Sequence, residues 1–178
     1  MRTVCDNNQC TGCAACISKC SKNAIHIEDD LKTYNAIIDE TLCVNCGQCE
    51  SVCPTKTTVL CSQPISWQQG WALDEAIRKN ASSGGLASAL IIGFIRAGGV
   101  VCSCVFDKGE FVFDFADSEY SAKRFAGSKY VKSNPNGIYK KIKEYLVHGK
   151  KVLFIGLPCQ AAAVRLYTKD HELLYTVD

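Results

Sequence analysis

Eight cysteines fall into two copies of one pattern. Cys10, Cys13, Cys16 and Cys20 are spaced C-x-x-C-x-x-C-x-x-x-C, and Cys43, Cys46, Cys49 and Cys53 repeat that spacing. Three thiols at two-residue gaps let a tight loop wrap three corners of an iron–sulfur cube, with backbone N–H groups turned toward its sulfurs. The fourth follows a short helical turn that carries it toward the other cube. The pattern predicts two 4Fe–4S clusters, one on Cys10, Cys13, Cys16 and Cys53, the other on Cys43, Cys46, Cys49 and Cys20. Zinc is the competing ligand chemistry, but a zinc ribbon needs two thiol pairs separated by a loop, not two triplets each with a trailing cysteine.

The duplication implies the pseudo-twofold layout of a two-cluster ferredoxin. Each motif is followed by a β-prone run, Ala24–Ile27 after the first and Thr57–Leu60 after the second. The second motif ends Cys53-Pro54 and the first ends Cys20-Ser21, so the turn after Cys20 loses the restriction that proline imposes. Gly12 and Gly47 sit at different places in their loops; each either relieves crowding near a cube or simply makes a turn.

The chain has 178 residues, 47% hydrophobic and 21% charged, with a formal net charge of +2. That balance, with no basic and aromatic interleaving, excludes nucleic acid as a partner. The 13 cysteines are concentrated in the first third. Met1 to Asp6 contains no apolar signal core, so dense thiols read as metal ligands in a reducing, cytoplasmic setting. The longest apolar stretch, Leu86 to Ile95, is far short of the roughly 20 residues a transmembrane helix needs.

The second half must supply the elements that position any further chemistry. Residues 61–73 carry no charge and hold Pro64, Gly70, Trp67 and Trp71; they are expected as a linker whose tryptophans pack between domains. Ser83-Gly84-Gly85 precedes an apolar helix from Leu86 to Ala97, with serine as cap and glycines in the first turn. That end is either an anion site or a plain capped core helix. Val100–Phe106 and Glu110–Phe115 read as a hairpin turning at Asp107-Lys108-Gly109. Cys102 and Cys104 share one face of its first strand, as packing residues.

Residues 121–151 hold nine Lys or Arg, including Lys129, against one acidic residue, Glu144. Residues 137–148 give an amphipathic helix with Ile138, Ile142, Tyr145 and Leu146 inward. Such a run is a solvated face or an attraction for an anionic cofactor or acidic partner. Lys151–Ile155 is a buried strand, Gly156 to Gln160 a turn at its carboxyl end, and Ala161–Tyr167 a helix, the place where α/β proteins bind ligands.

Several of these segments together resemble the beta subunits of coenzyme F(420) hydrogenases and dehydrogenases. They are the cysteine repeat, Ser83-Gly84-Gly85-Leu86, Gly98-Gly99-Val100-Val101, Gly127 to Ser133, and most specifically Gly149 to Gln160. The resemblance covers nearly the whole chain. It implies a subunit in which iron–sulfur clusters exchange single electrons with a flavin, FAD, and the flavin exchanges hydride with a deazaflavin or other acceptor. Members of that family continue past the equivalent of Asp178, so the chain is expected to be truncated or split.

The expectation is therefore an α+β protein: a ferredoxin-like two-cluster domain at 1–60, a linker at 61–80, and an α/β domain at 81–178. Its function is electron transfer, with a redox partner protein or a small acceptor. Expected cofactor contacts are Ser83, Gly84, Gly85, Lys129, Pro158, Cys159 and Gln160, with no residue marked as catalytic. The alternatives are a ferredoxin-type carrier whose second domain only docks partners, and a structural zinc module. The roles of Cys5, Cys61 and Cys159 stay open. Replacing Cys46 by alanine is expected to halve iron and labile sulfide, removing one cluster and leaving the other; retention of both would break the ligand assignment.

Overall fold

The computed structural model describes residues 1–59, 63–135 and 137–178, so Cys61 and Leu60 lie outside the described residues. The fold is α+β. Near the N-terminus, helix α1 (Ala15–Lys19) and the antiparallel pair β1 (Ile25–Asp29) and β2 (Tyr34–Ile38) frame the first cysteine loop. The β1–β2 turn is built by aspartates that accept from the chain ahead of them: Asp29 Oδ1 from Leu31 N–H, and Asp30 Oδ1 from Lys32 and Thr33 N–H. Ile25 pairs with Ile38, and Ile27 with Ala36. This pairing uses the β-prone run after the first motif but not the one after the second, because Thr57–Val59 enter no strand.

A four-stranded sheet follows, in the order β4 (Glu110–Ala116), β3 (Val100–Asp107), β5 (Val152–Ile155), β6 (Leu174–Val177). β3 and β4 form the antiparallel hairpin, while β3–β5 and β5–β6 are parallel. Alternation along the strands divides the core between two faces. Val101, Val105 and Leu153 pack beneath helix α3 (Leu86–Arg96), which buries Ile91 and Ile95 one turn apart. Cys102, Phe113, Val152 and Phe154 pack on the other face beneath α5 (Ile138–Val147) and α6 (Pro158–Thr168). α5 turns Ile138, Ile142 and Leu146 inward together with Tyr139, which is fully buried, while Tyr145 is half-buried.

Three expectations need correction. Trp67 and Trp71 are exposed, 91% and 63%, rather than packed between domains; the linker instead forms a short helix, α2 (Glu75–Lys79), capped by Asp74. Gly85, not a serine, is the N-cap of α3, and the glycines precede its first turn. α6 begins at Pro158 rather than Ala161, since proline at the first helical position gives up no hydrogen bond.

The N-terminal loops do not stand apart from this sheet. Ala15 of α1, Cys13 and Val52 share the apolar core of α5 and α6. The buried Tyr139 hydroxyl donates to the Cys13 carbonyl, and the Tyr167 hydroxyl donates to the Ser18 carbonyl at 3.3 Å. The two rings lie 5.3 Å apart. Replacing Tyr139 by phenylalanine leaves that carbonyl unpaired in an apolar core, at a cost of about 1–3 kcal/mol. The expected result is a drop in apparent Tm of roughly 2–4 °C per kcal/mol, with a smaller drop for Tyr167→Phe, whose hydrogen bond is longer.

Candidate functional site

The cysteines separate into an inner and an outer set. Cys13, Cys16 and Cys53 are buried and Cys10 half-buried. Cys16 feels the charges of Cys13, Cys10 and Cys53. Cys20, Cys43, Cys46 and Cys49 line one small hollow, with Cys46 exposed and the others half-buried. Leu42 and Val44, beside this outer set, are exposed apolar residues. Among the described residues, no three His, Cys, Asp or Glu side chains converge closely enough to chelate a single ion.

Backbone amides already face these sulfurs. Gly12 N–H donates to Cys10 Sγ, Ala24 N–H to Cys20 Sγ and Asn45 N–H to Cys43 Sγ, each at 3.4 Å. Burial pushes the Cys13 and Cys16 thiols up, and neighbouring thiols add to the shift. Four such groups cannot all be thiolates without compensating cations. The donor set is thus suited to an iron–sulfur cluster, whose thiolate charge is spread over metal and amide donors. Cys5, which spacing alone could not assign, is buried beside Cys10 and Cys53. Burial first, and then those two thiols, push it up to about 12.

A cavity of about 470 Å³ opens at the carboxyl end of β5. Two helix starts meet it: Ser83, Gly84, Gly85 and the first residues of α3 on one side, Gly156, Leu157 and Gln160 of the α6 turn on the other. Ser103 and Cys104 of β3 form part of its wall, and residues of a strap at 127–133 form another part. The strap is anchored at one end by Ser128 N–H donating to Ser82 Oγ at 2.7 Å, and at the other by Gln160 Nε2 donating to the Ser133 carbonyl at 3.4 Å.

Five of the seven expected contacts therefore line one cavity: Ser83, Gly84, Gly85, Lys129 and Gln160. Lys129 donates to the carbonyls of Phe125 and Ala126 at 2.7 and 3.0 Å. Burial lowers its pKa, with Cys104 opposing. Gln160 is fully buried, and its Oε1 accepts from Leu157 N–H at 2.9 Å, so it caps α6 and holds the strap. Pro158 and Cys159 do not line the cavity. Cys159 lies on the opposite side of the same turn, as an electrostatic neighbour of Cys13 and Tyr139.

Residues 9–57 match the 4Fe–4S dicluster domain. The protein carries such a domain at its N-terminus. Over 94% of its length the chain is a homologue of the F subunit of the F(420)H(2) dehydrogenase of Methanosarcina mazei, 23% identical and covering 51% of that protein. An uncharacterised protein of Methanocaldococcus jannaschii is 24% identical over 96% of this chain and 56% of its own. The archaeal-type NADPH glutamate synthase of Dehalococcoides mccartyi is 30% identical over 44% of this chain and 16% of its own. The chain spans about half the length of the first two relatives. No helix among the described residues is long and apolar enough to cross a membrane.

Gly85 fixes how α3 meets the cavity. Its φ of +76° is left-handed, and a methyl there would stand 3.2 Å from Ile77 Cγ2 and 3.3 Å from Ala72 Cβ. Gly98 has φ +81° with open space around it. Gly98→Ala is expected to cost about 1–2 kcal/mol from backbone conformation alone. Gly85→Ala should cost more, because α2 must also move. Equal losses in denaturant unfolding would show that α2 does not hold the helix start.

Proposed function

We propose that this chain passes single electrons from an outer 4Fe–4S cluster, held by Cys20, Cys43, Cys46 and Cys49, to an inner one held by Cys10, Cys13, Cys16 and Cys53. From there they pass to a flavin, FAD, in the cavity beside β5. The observation that carries this reading is the α6 turn, which has the inner thiols on one side and the cavity on the other. Gln160 lines the cavity, while the charge of its neighbour Cys159 is felt by Cys13. The exposed Cys46 makes the outer loop the place where a redox partner protein exchanges electrons.

The cavity suits a flavin dinucleotide in volume and charge. Its size falls in the range of small-molecule sites, and the start of α3 brings backbone N–H groups and a helix dipole to receive a pyrophosphate. Lys129 adds a cation at the wall. A bound flavin would supply the exchange between one-electron and two-electron chemistry. The start of α3 and Lys129 would hold its phosphates, and the α6 turn would keep it near the inner cluster. The acceptor of hydride is then a deazaflavin or another small molecule, as the name of the Methanosarcina relative suggests. The units at 1–60 and 81–178 work together in this scheme, joined through α1, α5 and α6.

The test is iron, acid-labile sulfide and flavin per chain after purification without oxygen. About eight irons with matching sulfide and one flavin, with flavin lost in Lys129→Glu but iron retained, is the expected result. Full iron with no flavin, and no uptake of added FAD, would leave a ferredoxin-type carrier. Zinc without sulfide would overturn both.

A further inference from the structure

Lys132 belongs to the strap along the cavity, yet its side chain leaves the cavity and reaches the inner cysteine loop. Its ammonium stands 4.1 Å from the centre of the Tyr34 ring. Tyr34 in turn bridges to Cys10. The ammonium also fills the space over Gly12: a methyl built there would lie 2.8 Å from Lys132 Nζ and 3.2 Å from Tyr34 Cγ. Gly12 lies between Cys10 and Cys13, has φ +64°, and donates its N–H to Cys10 Sγ. A side chain at that position would crowd both the ammonium and the Tyr34 ring.

The charge is not neutralised by a carboxylate. Among the described residues no Asp or Glu lies within 4 Å of Lys132 Nζ. Lys56, which feels Cys5, pairs with Asp6 at 3.2 Å. Asp29 faces the hydroxyl of Tyr34, the far end of the ring from its backbone. The outer hollow has Arg2 and Lys22 at its wall, and Arg2 is engaged by the Asn45 side chain.

We propose that Lys132 raises the reduction potential of the inner cluster. Each one-electron reduction of the inner cluster, with the outer cluster as donor, adds one negative charge beside the ammonium. A fixed cation over a half-buried loop stabilises the reduced form relative to the oxidised one. The strap also gives the charge its address. Lys129, Val131 and Ser133 face the cavity, and the residue between the last two reaches the thiol loop, so one segment serves both redox sites. The inference rests on the two clusters and not on the cavity holding flavin.

The experiment is an EPR-monitored redox titration of the full chain with its clusters, comparing wild type with Lys132→Met and Lys132→Arg. The same substitutions are repeated in Cys46→Ala, where the outer cluster is removed. Lys132→Met is expected to lower the reduced-to-oxidised ratio of the inner cluster about tenfold at fixed potential, about 59 mV downward for one electron. The outer cluster stays in place and Lys132→Arg stays near wild type. An unshifted inner potential in Lys132→Met with full iron and sulfide overturns the proposal. Equal shifts in the methionine and arginine variants, or loss of iron in Lys132→Met alone, overturn it in favour of a structural role. Wild-type chain without iron and sulfide fails the cluster reading itself, which metal analysis reveals before any titration.

Discussion

A phenol hydroxyl inside an apolar core must find an acceptor, and the arrangement of this protein follows from where two of them find theirs. Tyr139 and Tyr167 rise from neighbouring helices, touch ring to ring, and donate to the carbonyls of Cys13 and Ser18. Both acceptors belong to the segment around α1, which carries Cys13 and Cys16. Leaving either hydroxyl unpaired costs more than the hydrogen bond itself contributes, so the segment has one favourable seat on α5 and α6. Apolar contacts of Ala15 and Val52 fill the space around it. The seat decides which thiols are inner, and it sets Cys13 beside Cys159.

Electrostatics then separates the two cysteine sets. Thiols at close quarters in a buried loop resist ionisation, as Cys5 and Cys16 do, unless positive charge is supplied. Metal provides most of it and backbone amides provide some. The inner loop receives one more contribution from outside its own segment, through Lys132. The outer loop lies open to solvent, where water screens its charge. Two loops of the same spacing are thereby given different surroundings by the rest of the chain.

The grouping of the cysteines is legible in the sequence because spacing is local: the repeat sets three thiols in one loop, and the structure brings Cys20 to the hollow of the second loop. The sheet hairpin and α5 are legible for a similar reason, since alternation and the 3.6-residue period are read within one segment. What escapes depends on partners distant in sequence. Burial is the ordinary expectation for large aromatic residues such as Trp67 and Trp71, yet no element among the described residues covers them. Tyr139 lies at the edge of the α5 stripe, and the approach of α1 and α6 buries it. The strap at 127–133 has no periodicity to read. Its role comes from Ser82 and Gln160, which hold its ends.

The α6 turn shows how little chain is needed to serve two sites at once. Proline at the first helical position leaves no amide unpaired there, and Gln160 closes the turn by accepting from Leu157 N–H. The glutamine amide then reaches Ser133 and ties down the strap, whose other residues line the cavity. Between proline and glutamine stands Cys159, on the side of the inner thiols. A rigid helix start cannot present adjacent residues in the same direction, since successive side chains diverge by about 100°. That divergence turns Gln160 to the cavity and Cys159 away from it.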